Sequence, residues 1–147
     1  MNDRSGEVGA GPHAEIPLVD YLVLDGAPHL IAHECTVCRA RYFDHRNACA
    51  ACASDAGFVD VALPGTGIVD TYTIVTHAAP GVEVPFVAAV VECGGTHVRT
   101  NLVNVVADPE HVRLGMPVEL TTWTVATDDA GRRIVGFGFE PSEGARR

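Results

Sequence analysis

From Pro64 to Pro141 the chain alternates short runs of Val, Ile and Thr with Gly and Pro punctuation, and these runs read as strands. The first spans 67–77, a β-branched stretch long enough to bend across both halves of a barrel. A second, 85–92, follows a Pro80-Gly81 turn, and Gly94-Gly95 folds it back into a third at 96–103. Two more, 117–126 and 132–139, form a last hairpin around Asp128-Asp129-Ala130-Gly131. Between the third and fourth strands, Asp108-Pro109-Glu110 carries a helix-start signature: Asp108 as N-cap, Pro109 in the first position, and Gly115 closing a short helix over 109–114. Five strands with one short helix in that place follow the element order of an OB-fold. A generic five-stranded barrel or half-sandwich would give a similar pattern. Phe86, Val90, Val118 and Phe137 are the expected packing residues.

Upstream the pattern changes. Residues 1–15 lack periodicity and are expected to form a flexible tail, and 142–147 a second one. Tyr21–Ile31 reads as a hairpin leading into a cysteine-rich segment, so residues 16–62 form one unit and 63–141 the barrel. The whole is mainly β.

Charge narrows the function classes. The 147 residues hold 10 Lys+Arg, none of them Lys, against 19 Asp+Glu, a formal net charge of −9. A nucleic-acid binder neutralises phosphates with a basic footprint, and this chain has none to offer. The N-terminal stretch is polar and Gly-rich, without the apolar centre of a signal peptide, and no run approaches the ~18–20 apolar residues of a membrane span. These features point to a cytoplasmic protein whose thiols stay reduced, where paired cysteines signal a metal rather than a disulfide.

The chemistry is concentrated in Cys35-Thr-Val-Cys38, ten residues, then Cys49-Ala-Ala-Cys52. Each Cys-x-x-Cys turn presents two thiolates to one ion, and two such knuckles complete a tetrahedral site with sulfur–metal distances of ~2.3 Å. Four soft thiolates in a closed shell suit one structural zinc per chain; iron with the same ligands is the alternative. Four cysteines leave no open position for water or substrate, so the site is not expected to be catalytic. Arg39, Arg41 and Arg46 lie between the knuckles and are placed to offset the thiolate charge. His29, His33 and His45 read as hairpin surface residues, and Cys93 as a buried, inert thiol. No phosphate loop, nucleophile elbow or His-Glu-x-x-His motif occurs, and no catalytic residue can be named.

One resemblance gathers these features. The two knuckles, then Leu63-Pro-Gly-Thr-Gly67, Tyr72-Thr-Ile-Val75, Leu114-Gly-Met-Pro-Val-Glu119 and Gly136-Phe-Gly-Phe-Glu-Pro141 resemble, in that order, the zinc-ribbon/OB-fold proteins of domain-of-unknown-function family 35. The likeness covers roughly residues 20–141. It departs at Arg39, where relatives commonly carry Gly, at Cys49-Ala-Ala-Cys52, where many have Cys-Pro-x-Cys, and in the entry hairpin, which is helical in many relatives. The resemblance implies a rubredoxin-like zinc ribbon ahead of the OB-fold. It also implies a non-catalytic companion of a thiolase-like enzyme (thiolase, retro-aldolase or acyltransferase), which stabilises that partner and shapes a channel for acyl-CoA. The coenzyme A thioester would then be a ligand of the complex. A free-standing acyl-CoA or thioester enzyme is the main alternative, and a nucleic-acid-binding ribbon/OB module a weaker one.

Overall fold

Two sheets grow from two hydrophobic patterns in the computed structural model of the protein, which describes residues 14–143. The first half supplies β1 (Glu15–Pro17), β2 (Leu22–Val23), β3 (His29–Cys35), β4 (Arg41–Tyr42) and β5 (Phe58–Ala62). The second half supplies β6 (Thr66–Val75), β7 (Phe86–Cys93), β8 (Thr96–Leu102), β9 (Pro117–Thr127) and β10 (Arg133–Pro141). The five strands of the second half fall within one or two residues of the sequence expectation. β3 is the centre of the ribbon: β2, β4 and β5 all pair with it antiparallel.

The second half closes on itself. β6 pairs with β7, β7 with β8, β8 with β10 in parallel, β10 with β9, and β9 returns to β6. This is the closed five-stranded barrel of an OB-fold, and closure leaves the central hydrogen-bond ladders without an open edge. β1 adds to the outside, parallel to β10, with Glu15 opposite Arg133. The expected N-terminal tail lies outside the described residues except for Ala14 and Glu15, and Glu15 already belongs to β1. The expected C-terminal tail is described only at Ser142 and Glu143.

Two details depart from the sequence pattern. No α-helix occurs among the described residues. The Asp108 carboxylate accepts the N–H groups of Glu110 and His111, as an N-cap does, and the Asp108 carbonyl accepts from Val112 at 3.2 Å. The cap is present, but Gly115 takes φ = 77° and the chain leaves after a single turn. One turn fixes three residues for one hydrogen bond, so it does not propagate in the few positions available. Second, Phe86 and Val90 are on the outer face of β7, while Val87, Ala89, Val91 and Cys93 are buried. Phe-Val-Ala-Ala-Val-Val is apolar at both parities, so alternation alone does not choose the face. The other two expected packing residues behave as expected: Val118 is fully in the core, and Phe137, half-buried, packs against it and stands edge-on to Tyr21.

The core is continuous across both sheets. Leu22, Leu30 and Ala32 of the ribbon share one buried cluster with Val69, Val91, Val98, Met116, Val118 and Phe139 of the barrel. Gly67 shows why the first barrel strand needs a glycine. A Cβ built there would lie 2.5 Å from Val91 Cγ1 and 2.7 Å from the Glu92 carbonyl oxygen. β6 therefore crosses β7 at a distance that only a bare Cα allows. Gly67→Ala is expected to destabilise the barrel by about 1–3 kcal/mol through overpacking. A urea midpoint equal to that of the wild type would refute this.

Candidate metal centre

The four cysteines come together from two hairpin tips. In the first knuckle the Cys35 N–H donates to the Ala40 carbonyl at 2.8 Å, and the Arg39 N–H to the Cys35 carbonyl at 3.0 Å. In the second, Cys49 N–H donates to Ser54 O at 2.8 Å and Ala53 N–H to Cys49 O at 2.8 Å. The two loops are near copies, and each turns through a left-handed residue directly after its second cysteine: Arg39 at φ = 65° and Ala53 at φ = 61°. That conformation costs a side-chain-bearing residue roughly 1–2 kcal/mol relative to right-handed backbone. Arg39→Gly and Ala53→Gly are each expected to stabilise the ribbon by about 0.5–1 kcal/mol, the relief being partly offset by the larger unfolded-state entropy of glycine. A lower melting temperature in either metal-loaded variant would contradict this.

The sulfur geometry fits a tetrahedral ion. Cys35 Sγ and Cys52 Sγ are 3.8 Å apart, Cys38 Sγ and Cys49 Sγ 3.5 Å, and all four lie within 4.8 Å of one another. Sulfurs each ~2.3 Å from a central ion would stand about 3.8 Å apart. The four cysteines can therefore hold a metal ion. Cys35 and Cys49 are buried, Cys38 and Cys52 exposed, so the cluster sits half-sunk in the ribbon end.

Protons compete for the same sulfurs. The Tyr42 hydroxyl, 3.4 Å from Cys49 Sγ, leads the groups that hold the Cys49 thiol down at about 6. Cys38 receives the Ala40 N–H, which favours its thiolate, but the Cys49 thiol beside it and burial outweigh that and push it up to about 12. Four thiols this close cannot all give up their protons unless a cation replaces them.

The other expected participants go elsewhere. The arginines between the knuckles do not hydrogen-bond a sulfur among the described residues: Arg41 reaches Glu34 and Gly94, and Arg46 pairs with Asp44 and lies over the Tyr42 ring at 4.3 Å. His29 Nδ1 contacts the Ala27 carbonyl, and His33 pairs with Asp60 at 2.6 Å and stacks on His45. None of the three joins the sulfur cluster. Cys93 is buried, its thiol donates to Pro64 O at 3.3 Å, and burial pushes its pKa up, as an inert core thiol requires.

A groove of about 590 Å³ escaped the sequence reading. Outward residues of three adjacent strands line it, among them Thr71, Ala88, Val90, Arg99 and Asn101, with Tyr21 and Phe137 completing the wall. The available signal was the alternation His97, Arg99, Asn101 along β8, which places three polar side chains on one face of that strand. The groove is mostly apolar and carries one arginine, so it suits a ligand or segment with an apolar body and an anionic group.

Known proteins place the chain. Residues 60–123 match the family described as the C-terminal OB-fold domain of ChsH2. A DUF35 domain-containing scaffold protein of Methanocaldococcus jannaschii is 34% identical over 119 residues, covering 78% of this chain and 82% of that one. The chain belongs to the DUF35 family. Among solved structures, a chain of the Ltp2-ChsH2(DUF35) aldolase matches with a TM-score of 0.60 and 30% identity, over 77% of this chain and 84% of that one. No helix among the described residues is long and apolar enough to cross a membrane.

Proposed function

We propose that this chain is the small, non-catalytic subunit of a thiolase-like enzyme acting on acyl-CoA thioesters. It holds one structural zinc through Cys35, Cys38, Cys49 and Cys52, steadies its partner and helps to wall the acyl-CoA channel. The observation that carries the reading is the likeness, over more than three quarters of the chain, to a DUF35 chain of an aldolase assembly and to a DUF35 scaffold protein. The sulfur cluster supports it: four thiolates around one ion leave no coordination position for a substrate, which suits an architectural role. Zinc, when bound, supplies cross-linking and no redox chemistry. The reduced thiols such a site needs support a cytoplasmic setting. A surface of −9 charge complements a basic partner.

The groove favours a second reading, a free-standing acyl-thioester-binding protein or enzyme, because it offers a cationic side chain beside an apolar wall without help from another subunit. One experiment separates the two. The chain is co-expressed with a thiolase-like protein of the same organism, and the mixture is resolved by size-exclusion chromatography and assayed with acyl-CoA thioesters. Co-elution, with activity that falls when this chain is left out, is the expected result. A partner that is stable and fully active alone would overturn the subunit reading, and turnover by this chain alone would establish the second.

A further inference from the structure

Both metal knuckles lead to the same turn of the barrel. β4 leaves the first knuckle immediately after Ala40, and its Arg41 stands opposite Glu34 of β3. The Arg41 guanidinium donates through Nε to Glu34 Oε2 at 2.9 Å and through Nη1 to the Gly94 carbonyl, in the turn between β7 and β8, at 2.6 Å. The return contact comes from Thr96, buried to 8% exposure, whose hydroxyl donates to the Arg41 carbonyl at 3.0 Å. β5 follows the second knuckle and runs into Leu63-Pro64, which press on that turn beside Arg41. A Cβ at Gly94 would meet Pro64 Cδ at 2.8 Å and Leu63 Cδ2 at 3.0 Å, and the Cys93 thiol donates to Pro64 O.

We infer that metal occupancy at the four cysteines sets the order of the β7–β8 turn, with Arg41 as the positioning residue that transmits it. The ion fixes the knuckle that closes on Ala40. That closure fixes β4 against β3 and so holds the guanidinium between Glu34 and Gly94. An arginine is suited to this because its fork serves two acceptors at once from a fixed plane, which a lysine does not. The same two strands carry Ala88, Val90, Arg99 and Asn101 along the groove, so the state of the metal reaches the groove wall through one hairpin. The inference rests on the metal reading above; the role of Arg41 is separate from it.

Hydrogen exchange followed by mass spectrometry on the full chain tests it, with metal content measured on the same samples. In the metal-loaded Arg41→Ala variant, peptides covering 93–98 are expected to exchange about tenfold faster than in the wild type, while those covering 66–75 and 117–127 are unchanged and one metal per chain remains. Thr96→Val is expected to do the same to a smaller extent, and it is the variant read if Arg41→Ala fails to fold. Stripping the metal from the wild type under reducing conditions should release 93–98 ahead of the rest of the barrel. Unchanged 93–98 exchange in a metal-loaded variant would overturn the role of Arg41. A uniform loss of protection on stripping would overturn the claim that the metal acts on this turn. Wild-type protein purified without any metal would instead overturn the metal reading itself.

Discussion

Replacing Cys49 with serine is expected to abolish metal binding and unfold the ribbon. Cys49 is buried, donates its backbone N–H to Ser54 within the second knuckle, and is the sulfur that the Tyr42 hydroxyl favours as thiolate. A structural zinc supplies on the order of 10 kcal/mol of apparent binding energy, more than the remaining contacts of a ribbon this small provide. Elemental analysis should find less than one metal per chain in the variant, and exchange protection across 29–62 should be lost while the β9–β10 hairpin keeps its own. Cys93→Ala, which removes a thiol outside the cluster, should keep its metal. Acid should act like the mutation. Each thiolate must stay deprotonated to bind, so metal affinity falls as pH falls, and the ribbon is expected to empty on acidification and refill on return to neutral pH. A Cys49→Ser protein that retains one metal and the wild-type melting curve would refute the assignment.

Phe139→Ala is expected to cost the barrel about 3–5 kcal/mol, the range for deleting a fully buried aromatic ring and leaving its cavity. Phe139 is 0% exposed and faces Leu120 of β9 and Leu102 of β8 in register, at the one point where the parallel β8–β10 pair closes the barrel. Phe86→Ala removes the same ring from the outer face of β7 and should cost about 1 kcal/mol or less. Urea denaturation of the two variants measures the contrast. Equal losses would mean that β7 presents the opposite face to the core.

These two phenylalanines mark how far the sequence could be read. Strand positions in the barrel were legible because Val- and Thr-rich runs are bounded by Gly and Pro, and the knuckles because Cys-x-x-Cys spacing is dictated by ligand geometry. The face of β7 was not legible, since Phe86-Val87 and Val90-Val91 place apolar residues at both parities. The turn at 108–112 carried every local mark of a helix start, and only the length available before Gly115 stopped it. Arg41 looked like a counter-charge for the thiolates because it lies between the knuckles. Its acceptors are instead Glu34 and the Gly94 carbonyl, and the latter lies 53 residues further along the chain, a separation that no local pattern encodes. The groove was hidden for the same reason, being assembled from β6, β7 and β8 together with Phe137 of β10 and Tyr21.

The central place of β10 also has a bearing on the order in which the protein is built. β10 pairs with β1, β8 and β9, and its ion pair from Arg133 to Glu15 spans 118 residues. The ribbon, by contrast, completes all its pairings within residues 22–62. Long-range pairings bear the loop-closure cost before any contact rewards it, so the ribbon is expected to form first and the barrel to wait for its last strand. During synthesis from the N-terminus the barrel therefore stays open until β10 arrives, and a chain interrupted before residue 133 is expected to leave the ribbon on an unclosed sheet.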